Sequence, residues 1–336
     1  MKPSLADKKF VATRQGKIAY LEAGAADAPA ALLVHGIPTS SYLFRHVMRH
    51  LSGAFRLLAP DLMGLGDTEV DPARTDFAMP AQAEMLEDFL DAVGVPCAHL
   101  VAHDQGGAAA QILACQRPGR VDRLVLTDCV CFDNWPVPAV RTLQRFARLP
   151  FADLVCRTGL MEWKETRTSA SAFRRGVVDR AALDDATIAE YLRPLRGTAD
   201  ERARFLAFLR AGSPRHTLAV VPRLAEYKKA TLVLWAREDT YIPLVWGRRL
   251  YETIPGAVRF EVVDGAGHFW PEERPEPFAE RILAFLAAPS VAVAASAGAR
   301  SSPGLVEPGR LARPRCKAAT ELAALEAGAP APEVES

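Results

Sequence analysis

The sequence predicts an α/β fold: a mostly parallel, twisted sheet with helices on both faces and an inserted helical cap. Short apolar strand patterns alternate with helical patterns over most of the chain. Between residues 133 and 216 the alternation stops, and helical spacing continues without a clear strand before the alternation resumes. Alternation of this kind is typical of parallel sheets, because each crossover helix packs back onto the sheet.

The first part of the predicted core comprises residues 1–132. "KFVATRQ" and "KIAYLEAG" predict a pair of strands, and further strands are predicted in "PAALLVHG", "FRLLAPDLMG", "AHLVAHD" and "VDRLVLTDCV". Helices are predicted in "SSYLFRHVMRHLSG", "PAQAEMLEDFLDAVGV" and "GAAAQILACQRP". The second of these helices has an apolar face, as packing on a sheet requires, formed by Leu86, Phe89, Leu90 and Val93.

The remaining chain divides into three parts. Residues 133–216 are the predicted cap. Residues 217–287 complete the core, with strands in "KKATLVLWARED" and "VRFEVVDGAG" and helices in "PLVWGRRLYETI" and "PEPFAERILAFLA". Residues 288–336 are rich in Ala, Pro, Ser and Gly, which predicts a mostly disordered tail without catalytic residues.

Charge and cysteine usage argue against several partners. Lys and Arg total 41 against 40 for Asp and Glu, so neither a nucleic acid nor an anionic membrane is expected as a partner. The six cysteines show no paired metal-binding spacing, and we expect reduced thiols in a cytoplasmic protein. No signal-peptide segment or membrane span is predicted. We expect a monomer or a small homo-oligomer.

Asp104 in "LVAHDQGGAAAQ" is the first candidate catalytic residue. It ends an apolar strand and opens a helix, with Ala102 before it and Gly106 and Gly107 after it. Small neighbours are what a nucleophile at a strained strand-to-helix turn requires. An aspartate before a helix is also a common N-cap, and this structural alternative stays open.

His268 and Asp239 are the candidate base and its supporting acid. His268 in "GAGHFWPEERPEPF" follows a strand and a Gly-rich turn, where an open α/β sheet presents ligand-binding groups. Asp239 follows the preceding strand and is able to fix the tautomer of a neighbouring histidine. Alternative acids are the adjacent Glu238, and Asp128 and Asp133 after an earlier strand.

The turn in "LLVHGIPTSSYLFR" predicts the remaining part of a catalytic site. The backbone N–H groups of Ile37 and Gln105 would form an oxyanion hole over the edge of the sheet. His35 and His103 are expected to brace the structure rather than to react.

These motifs carry a resemblance to a known family. "HGIPTSSYLFR", "DLMGLGDT", "HDQGG" and "GAGHFWPEERPE", together with the Asp239 loop, resemble the haloalkane dehalogenase group of the α/β-hydrolases, with epoxide hydrolases as near relatives. The resemblance covers residues 8–287 and is weakest in the cap. It implies Asp104 as nucleophile, Asp239 as acid and His268 as base, which is the chain order of that fold.

An aspartate nucleophile favours a particular reaction class. A carboxylate, already ionised at neutral pH, displaces a leaving group from saturated carbon and forms an alkyl ester with the enzyme. Water activated by His268 then hydrolyses that ester. The expected partners are a small apolar organic substrate and water, and the scheme needs neither a cofactor nor a metal.

The sequence differs from the haloalkane dehalogenase pattern at the two positions whose side chains bind the departing halide. Haloalkane dehalogenases commonly have Trp directly after the nucleophile and Asn after the His-Gly pair, where this chain has Gln105 and Ile37. Gln105 retains an amide donor, and Trp135 is a further candidate if it is not merely a core aromatic. Epoxide hydrolases use two cap tyrosines, and the predicted cap offers Tyr191, which is equally well explained as a packing residue.

We therefore expect a hydrolase that forms an alkyl-enzyme ester, most similar to haloalkane dehalogenases. The alternatives are an epoxide hydrolase and, because the usual halide donors are absent, a non-catalytic or very slow ligand-binding member of the fold. A serine esterase is disfavoured because the sequence has no Gly-x-Ser-x-Gly turn.

Overall fold

The predicted fold class is confirmed by a single eight-stranded sheet. The computed structural model describes residues 8–168 and 171–288, so the predicted tail lies outside the described residues except for Ala288. The strands are β1 (Lys9–Ala12), β2 (Lys17–Ala23), β3 (Ala30–Val34), β4 (Arg56–Pro60), β5 (Ala98–Asp104), β6 (Val121–Cys129), β7 (Thr231–Ala236) and β8 (Ala257–Val263). Their spatial order is β1-β2-β4-β3-β5-β6-β7-β8.

Most of the sheet is parallel, as the alternating pattern predicts. The strand β2 pairs antiparallel with β1 and β4, whereas every pair from β4 to β8 is parallel. Both faces of β5 and β7 are covered, and all their residues are buried. Strands of this kind have nearly continuous apolar sequences, which explains "AHLVAHD" and "TLVLWA".

Helices flank both faces of the sheet. In the first part of the core they are α1 (Arg45–Leu51), α2 (Met79–Ala92) and α3 (Gln105–Gln116). In the last part they are α10 (Arg215–Leu224), α11 (Val245–Thr253), α12 (Trp270–Glu273) and α13 (Pro275–Leu286). On one face α2 packs on α3 and α3 on α10, and on the other face α1 packs on α13.

A helical segment separates β6 from α10. It contains α4 (Pro138–Phe146), α5 (Ala152–Arg157), α6 (Leu160–Arg167), α7 (Ala172–Arg175), α8 (Asp185–Arg196) and α9 (Ala199–Ala211). No strand lies between β6 and β7 in the described part of this region. The segment occupies the residues for which the sequence predicts a cap. Within the described residues, no helix has the length and apolar character needed to cross a membrane.

The carboxyl ends of the parallel strands define where the site lies. The strands β3, β5, β6, β7 and β8 run in the same direction, so the loops that follow them meet at one edge of the sheet. Ligands bind at this edge in open α/β sheets. Asp104 ends β5, and the loops after β7 and β8 contain Asp239 and His268.

Candidate active site

The predicted nucleophile Asp104 occupies a strained turn between β5 and α3. Its backbone has φ 49° and ψ −126°, a conformation that residues other than Gly rarely adopt. A Cβ on Gly106 would lie 2.3 Å from the carbonyl oxygen of His35, and one on Gly107 would lie 2.2 Å from Cys129 Cβ. Both glycines are therefore needed for the turn to pack this closely.

Backbone N–H groups face the Asp104 carboxylate. The N–H of Ile37 donates to Oδ2 at 2.7 Å, and the N–H of Gln105 also stabilises the ionised form. A Cβ on Gly36 would lie 2.3 Å from Oδ2, so glycine is needed there too. The Asp104 side chain makes no capping hydrogen bond to α3, which argues against the N-cap alternative. Two N–H groups beside one carboxylate are the arrangement that an oxyanion requires.

The carboxylate bound to His268 is that of Asp239. Its Oδ2 lies 2.8 Å from Nδ1 of His268, and its Oδ1 accepts from the backbone N–H groups of Tyr241 at 2.7 Å and Ile242 at 2.9 Å. Three hydrogen bonds thus fix the carboxylate of Asp239, a residue that is only 7% exposed. The arrangement holds the proton of His268 on Nδ1 and leaves Nε2 for proton transfer.

The alternative acids have other partners. Glu238 is exposed and accepts from the backbone N–H of Ala266 at 3.2 Å. Asp133 is exposed and pairs with Arg249 at 3.6 Å. Asp128 is buried, but it accepts from Ala236 N–H, the Thr127 hydroxyl and the Trp270 indole N–H, at 2.9, 2.7 and 2.7 Å respectively. None of the three is hydrogen-bonded to His268 among the described residues.

The pKa values of Asp104 and His268 are both raised above their ordinary values. Burial raises the pKa of Asp104 to about 6, although the charge of His268 and the two backbone N–H groups oppose the rise. Burial lowers the pKa of His268, but the charge and hydrogen bond of Asp239 and the charge of Asp104 outweigh it and raise that pKa to about 9. At neutral pH the pair is therefore a carboxylate facing an imidazolium.

The other two histidines at this edge are buried and contact backbone groups. His35 contacts the carbonyl of Gly36 at 3.0 Å and accepts from the N–H of Leu62 at 3.0 Å. His103 Nε2 lies 2.8 Å from the carbonyl oxygen of His268, and the two rings are 4.8 Å apart. Burial and the charge of His268 hold the pKa of His103 well below its usual range, so this ring is a neutral support for the loop.

An apolar cavity opens beside Asp104 and His268. The empty space in the cavity and in front of its open mouth totals about 620 Å³. Besides Asp104, Gln105 and His268, its walls comprise Ile37, Pro38, Val130, Trp135, Pro136, Val137, Ala139, Val140, Leu143, Ala172, Phe173, Tyr241, Ile242 and Phe269. No Lys or Arg is among these residues, which favours an uncharged ligand.

Gln105 is the candidate leaving-group donor that remains free. Its side chain lines the cavity and has no hydrogen-bond partner among the residues that the structure describes. Trp135 also lines the cavity, but its indole N–H donates to the Thr217 hydroxyl at 2.8 Å. The Tyr241 hydroxyl donates to the carbonyl of Ala172 at 2.6 Å. The Gln105 amide is therefore able to bind a departing anion without breaking an existing bond.

Tyr191 does not line the cavity, although its ring stacks on the wall residue Phe173 with 5.6 Å between the ring centroids. Its hydroxyl donates to the buried carboxylate of Glu272, which also pairs with the Arg45 guanidinium. The other glutamate of α12, Glu273, accepts from the backbone N–H groups of residues 178 and 179 and from that of Gly267. Because α12 follows His268 almost directly, these bonds tie the helical segment to the loop of the base.

Sequence reasoning missed these contacts and much of the cavity wall. Tyr241, Phe173 and Phe269 all face the cavity. The position of Tyr241 two residues after Asp239 is a signal for its role, since the residues that follow a catalytic loop often line the site. The partnership of Tyr191 with Glu272 joins residues 81 positions apart, and no local pattern predicts it.

Comparisons with known proteins identify the family. The alpha/beta hydrolase fold model matches residues 29–275. The uncharacterized hydrolase YugF of Bacillus subtilis is 28% identical, covering 75% of this chain and 88% of that protein. A 2-hydroxy-6-oxononadienedioate/2-hydroxy-6-oxononatrienedioate hydrolase of Paraburkholderia phymatum is 27% identical, covering 84% and 96%. A crystal structure described as an ancestral haloalkane dehalogenase superposes with a TM-score of 0.68 at 25% identity, covering 83% and 98%.

Proposed function

We propose that this chain uses Asp104 to displace a leaving group from a saturated carbon. The chain belongs to the alpha/beta hydrolase fold family and is a hydrolase. The observation that carries the proposal is the carboxylate of Asp104 at the nucleophile turn, held by the N–H of Ile37 and opposite the His268–Asp239 pair. The reaction most consistent with it is that of a haloalkane dehalogenase.

In the first step, a carboxylate oxygen of Asp104 attacks the carbon that bears the leaving group. Oδ2 already accepts from Ile37, so Oδ1 is the oxygen free to form the new bond. The new C–O bond forms as the carbon–halogen bond breaks, and the halide departs with the electron pair. The amide of Gln105 donates to that halide, and the product is a neutral ester of Asp104.

In the second step, water attacks the carbonyl carbon of that ester. His268 takes the proton of the water at Nε2, while Asp239 stabilises the imidazolium that forms. The N–H groups of Ile37 and Gln105 hold the oxyanion at Oδ2. Collapse of the intermediate breaks the bond to the alkoxide, which takes the proton from His268 and leaves as the alcohol.

Esterification of Asp104 also prepares the base. The negative charge of Asp104 contributes to the raised pKa of His268, and the ester removes that charge. The pKa of the imidazole therefore falls after the first step, when a neutral base is first needed. The imidazolium that stabilises the nucleophile in the resting enzyme then releases its Nε2 proton to solvent, and the neutral imidazole is able to activate water.

The cavity supports an apolar, uncharged substrate. The names of the Paraburkholderia hydrolase substrates denote dicarboxylic acids, yet no Lys or Arg lines this cavity, and the charge of His268 is already matched by Asp239. Attack of a carboxylate on an ester would give only a reactive anhydride, so Asp104 does not favour acyl substrates. The likeness to the ancestral dehalogenase at 25% identity agrees with a carbon–halogen bond as the target.

Epoxide hydrolysis is the second candidate, because the same two steps open a strained C–O bond. The Tyr241 hydroxyl in the cavity wall favours it, although that hydroxyl donates to Ala172. Tyr191 does not support epoxide hydrolysis, since its hydroxyl donates to Glu272 and neither residue lines the cavity.

The test is turnover of matched chloroalkanes, bromoalkanes, epoxides and esters in ¹⁸O-water. We expect halide release, with ¹⁸O entering the Asp104 carboxylate after a single turnover. A His268→Gln variant should accumulate the Asp104 ester, seen as an increase in intact mass. Diol formation without halide release would select the epoxide hydrolase. Failure of every substrate to alkylate Asp104 in this variant would favour a non-catalytic ligand-binding protein.

A further inference from the structure

The outer surface of the helical segment presents a cluster of large apolar side chains to solvent. Within one short stretch, five such residues are 43% to 58% exposed: Leu149, Phe151, Leu154, Leu160 and Trp163. We call these residues the outer patch. Single exposed apolar residues are ordinary on protein surfaces, whereas contiguous apolar patches mark interaction sites, which makes this stretch a candidate for one.

The packing of the helices places this patch on one side of the molecule. The helices α4 and α5 pack on α9, and α5 and α6 pack on α8, while α8 and α9 pack on each other. The helices α5 and α6 also pack on each other, so Leu154, Leu160 and Trp163 are exposed on two adjacent helices that cover the α8–α9 pair.

Basic residues accompany the patch. Residues 139–167 contain six cationic residues, namely Arg141, Arg145, Arg148, Arg157, Lys164 and Arg167, against the three acidic residues Asp153, Glu162 and Glu165. The six cationic side chains are all exposed. A basic surface around Trp, Phe and Leu is the composition of segments that lie in a membrane interface.

The three acidic residues bind other partners more closely than they bind these cations. Asp153 pairs with Arg202 at 2.6 Å, and Glu162 pairs with Arg196 at 3.1 Å, so both bind helices of the inner layer. Glu165 accepts from the backbone N–H of residue 172 at 2.6 Å and lies at a longer distance, 3.9 Å, from Lys164. Most of their charge is thus already matched within the fold.

Most of the arginines are available to a partner. Among the described residues, Arg141, Arg145, Arg148 and Arg157 make no ion pair. A symmetric contact between two copies of the patch would bring these positive charges together, which is unfavourable. The unpaired arginines around the outer patch are instead complementary in charge to an anionic surface.

We propose that the outer patch docks this protein on an anionic lipid surface. The apolar side chains would enter the headgroup region and the arginines would pair with lipid phosphates. The whole-chain net charge of +1 does not predict this partner, because it averages the patch with the acidic remainder of the chain.

The location of the patch connects it with the cavity. In α4, Val140 and Leu143 line the cavity, whereas Arg141 and Arg145 of the same helix are exposed. Two of the arginines that accompany the outer patch and part of the cavity wall therefore belong to the same helix.

Vesicle flotation of the full chain tests the proposal. Vesicles of phosphatidylcholine alone are compared with vesicles that also contain phosphatidylglycerol. We expect flotation with the anionic vesicles, reversal by added salt, and a blue shift of tryptophan emission that a Trp163→Phe variant lacks. Binding does not require turnover, so the test is independent of the proposed reaction.

Matched variants separate the patch from the rest of the surface. Phe151→Ser with Trp163→Ser should abolish flotation, whereas Val245→Ser with Val258→Ser should not, although both valines are more than half exposed.

The charge requirement needs its own pair of variants. Arg145→Gln with Arg148→Gln should weaken binding to anionic vesicles about fivefold per arginine removed. Arg237→Gln with Arg259→Gln should leave it unchanged, since these exposed arginines already pair with Asp264 and Glu261.

Two results would overturn the proposal. One is absence of flotation by the full chain with either kind of vesicle. The other is a dimer in sedimentation analysis that the Phe151→Ser, Trp163→Ser variant converts to a monomer, because the patch would then be an interface between two copies.

Discussion

Replacing Asp239 by asparagine should separate the two chemical steps. Oδ1 of Asp239 accepts from the N–H groups of Tyr241 and Ile242, so the amide oxygen of the new side chain would take that position. The amide NH₂ would then face Nδ1 of His268, where Oδ2 lies at 2.8 Å now. Nδ1 would have to accept a hydrogen bond, and the proton of the neutral ring would move to Nε2.

The expected loss is large and confined to ester hydrolysis. A histidine protonated at Nε2 is unable to take a proton from water, and an equivalent change of tautomer in serine proteases costs ~10⁴-fold in kcat. That factor corresponds to about 5.5 kcal/mol of activation free energy. The attack by Asp104 needs no proton transfer, so alkylation should be retained.

The assay measures halide release and intact protein mass after mixing the variant with excess haloalkane. We expect one equivalent of halide per site in a burst, then a stall with the alkyl ester in place. Glu238→Gln is the matched control, because that neighbouring carboxylate is exposed and binds only Ala266 N–H among the described residues; it should turn over normally. Multiple turnovers by Asp239→Asn at the wild-type rate would refute the assignment of the acid.

The site supports three further predictions. Burial raises the pKa of Asp104 to about 6, and only the ionised carboxylate attacks. The single-turnover alkylation rate should therefore fall as the pH drops through about 6. Halide bursts whose rate does not change from about pH 5 to about pH 8 would contradict this prediction. Gly36→Ala should reduce the alkylation rate ~100-fold or more without unfolding the protein, because the new Cβ would lie 2.3 Å from Asp104 Oδ2. Gly53→Ala is the matched control, because its new Cβ would have no atom within 4 Å. This control should change neither the alkylation rate nor the melting temperature. Tyr191→Phe should retain turnover but lower the free energy of unfolding by about 1–3 kcal/mol in urea titrations, since buried Glu272 loses a donor; unchanged stability with lost turnover would instead indicate a chemical role for this tyrosine.

The sequence predicts the site best where local geometry determines function. Asp104 ends a strand, and Asp239 and His268 lie in loops that follow strands. Parallel strands bring their carboxyl ends together, so the proximity of these residues follows from the topology. The glycines beside Asp104 are also predictable from the sequence, because the strained turn leaves no room for a side chain at these positions.

The sequence predicts the walls of the site poorly. Whether the Trp135 indole is free depends on Thr217, and whether the Tyr191 hydroxyl is free depends on Glu272. Both partners come from distant parts of the chain. Such pairs depend on how the helices of the segment pack, and their apolar faces alone do not determine that packing. The outer patch is equally hard to predict, since hydrophobic periodicity does not show which apolar side chains remain exposed to solvent after the helices pack.

The two glutamates of α12 restrict how the molecule opens. Glu272 holds α8, and Glu273 holds residues 178 and 179, so a swing of the whole helical segment would pull on the loop that carries His268. Such a hinge motion would admit substrate only while dismantling the base. A path through the existing mouth of the cavity leaves the helical segment in place, so the catalytic groups would stay aligned while substrate enters and product leaves.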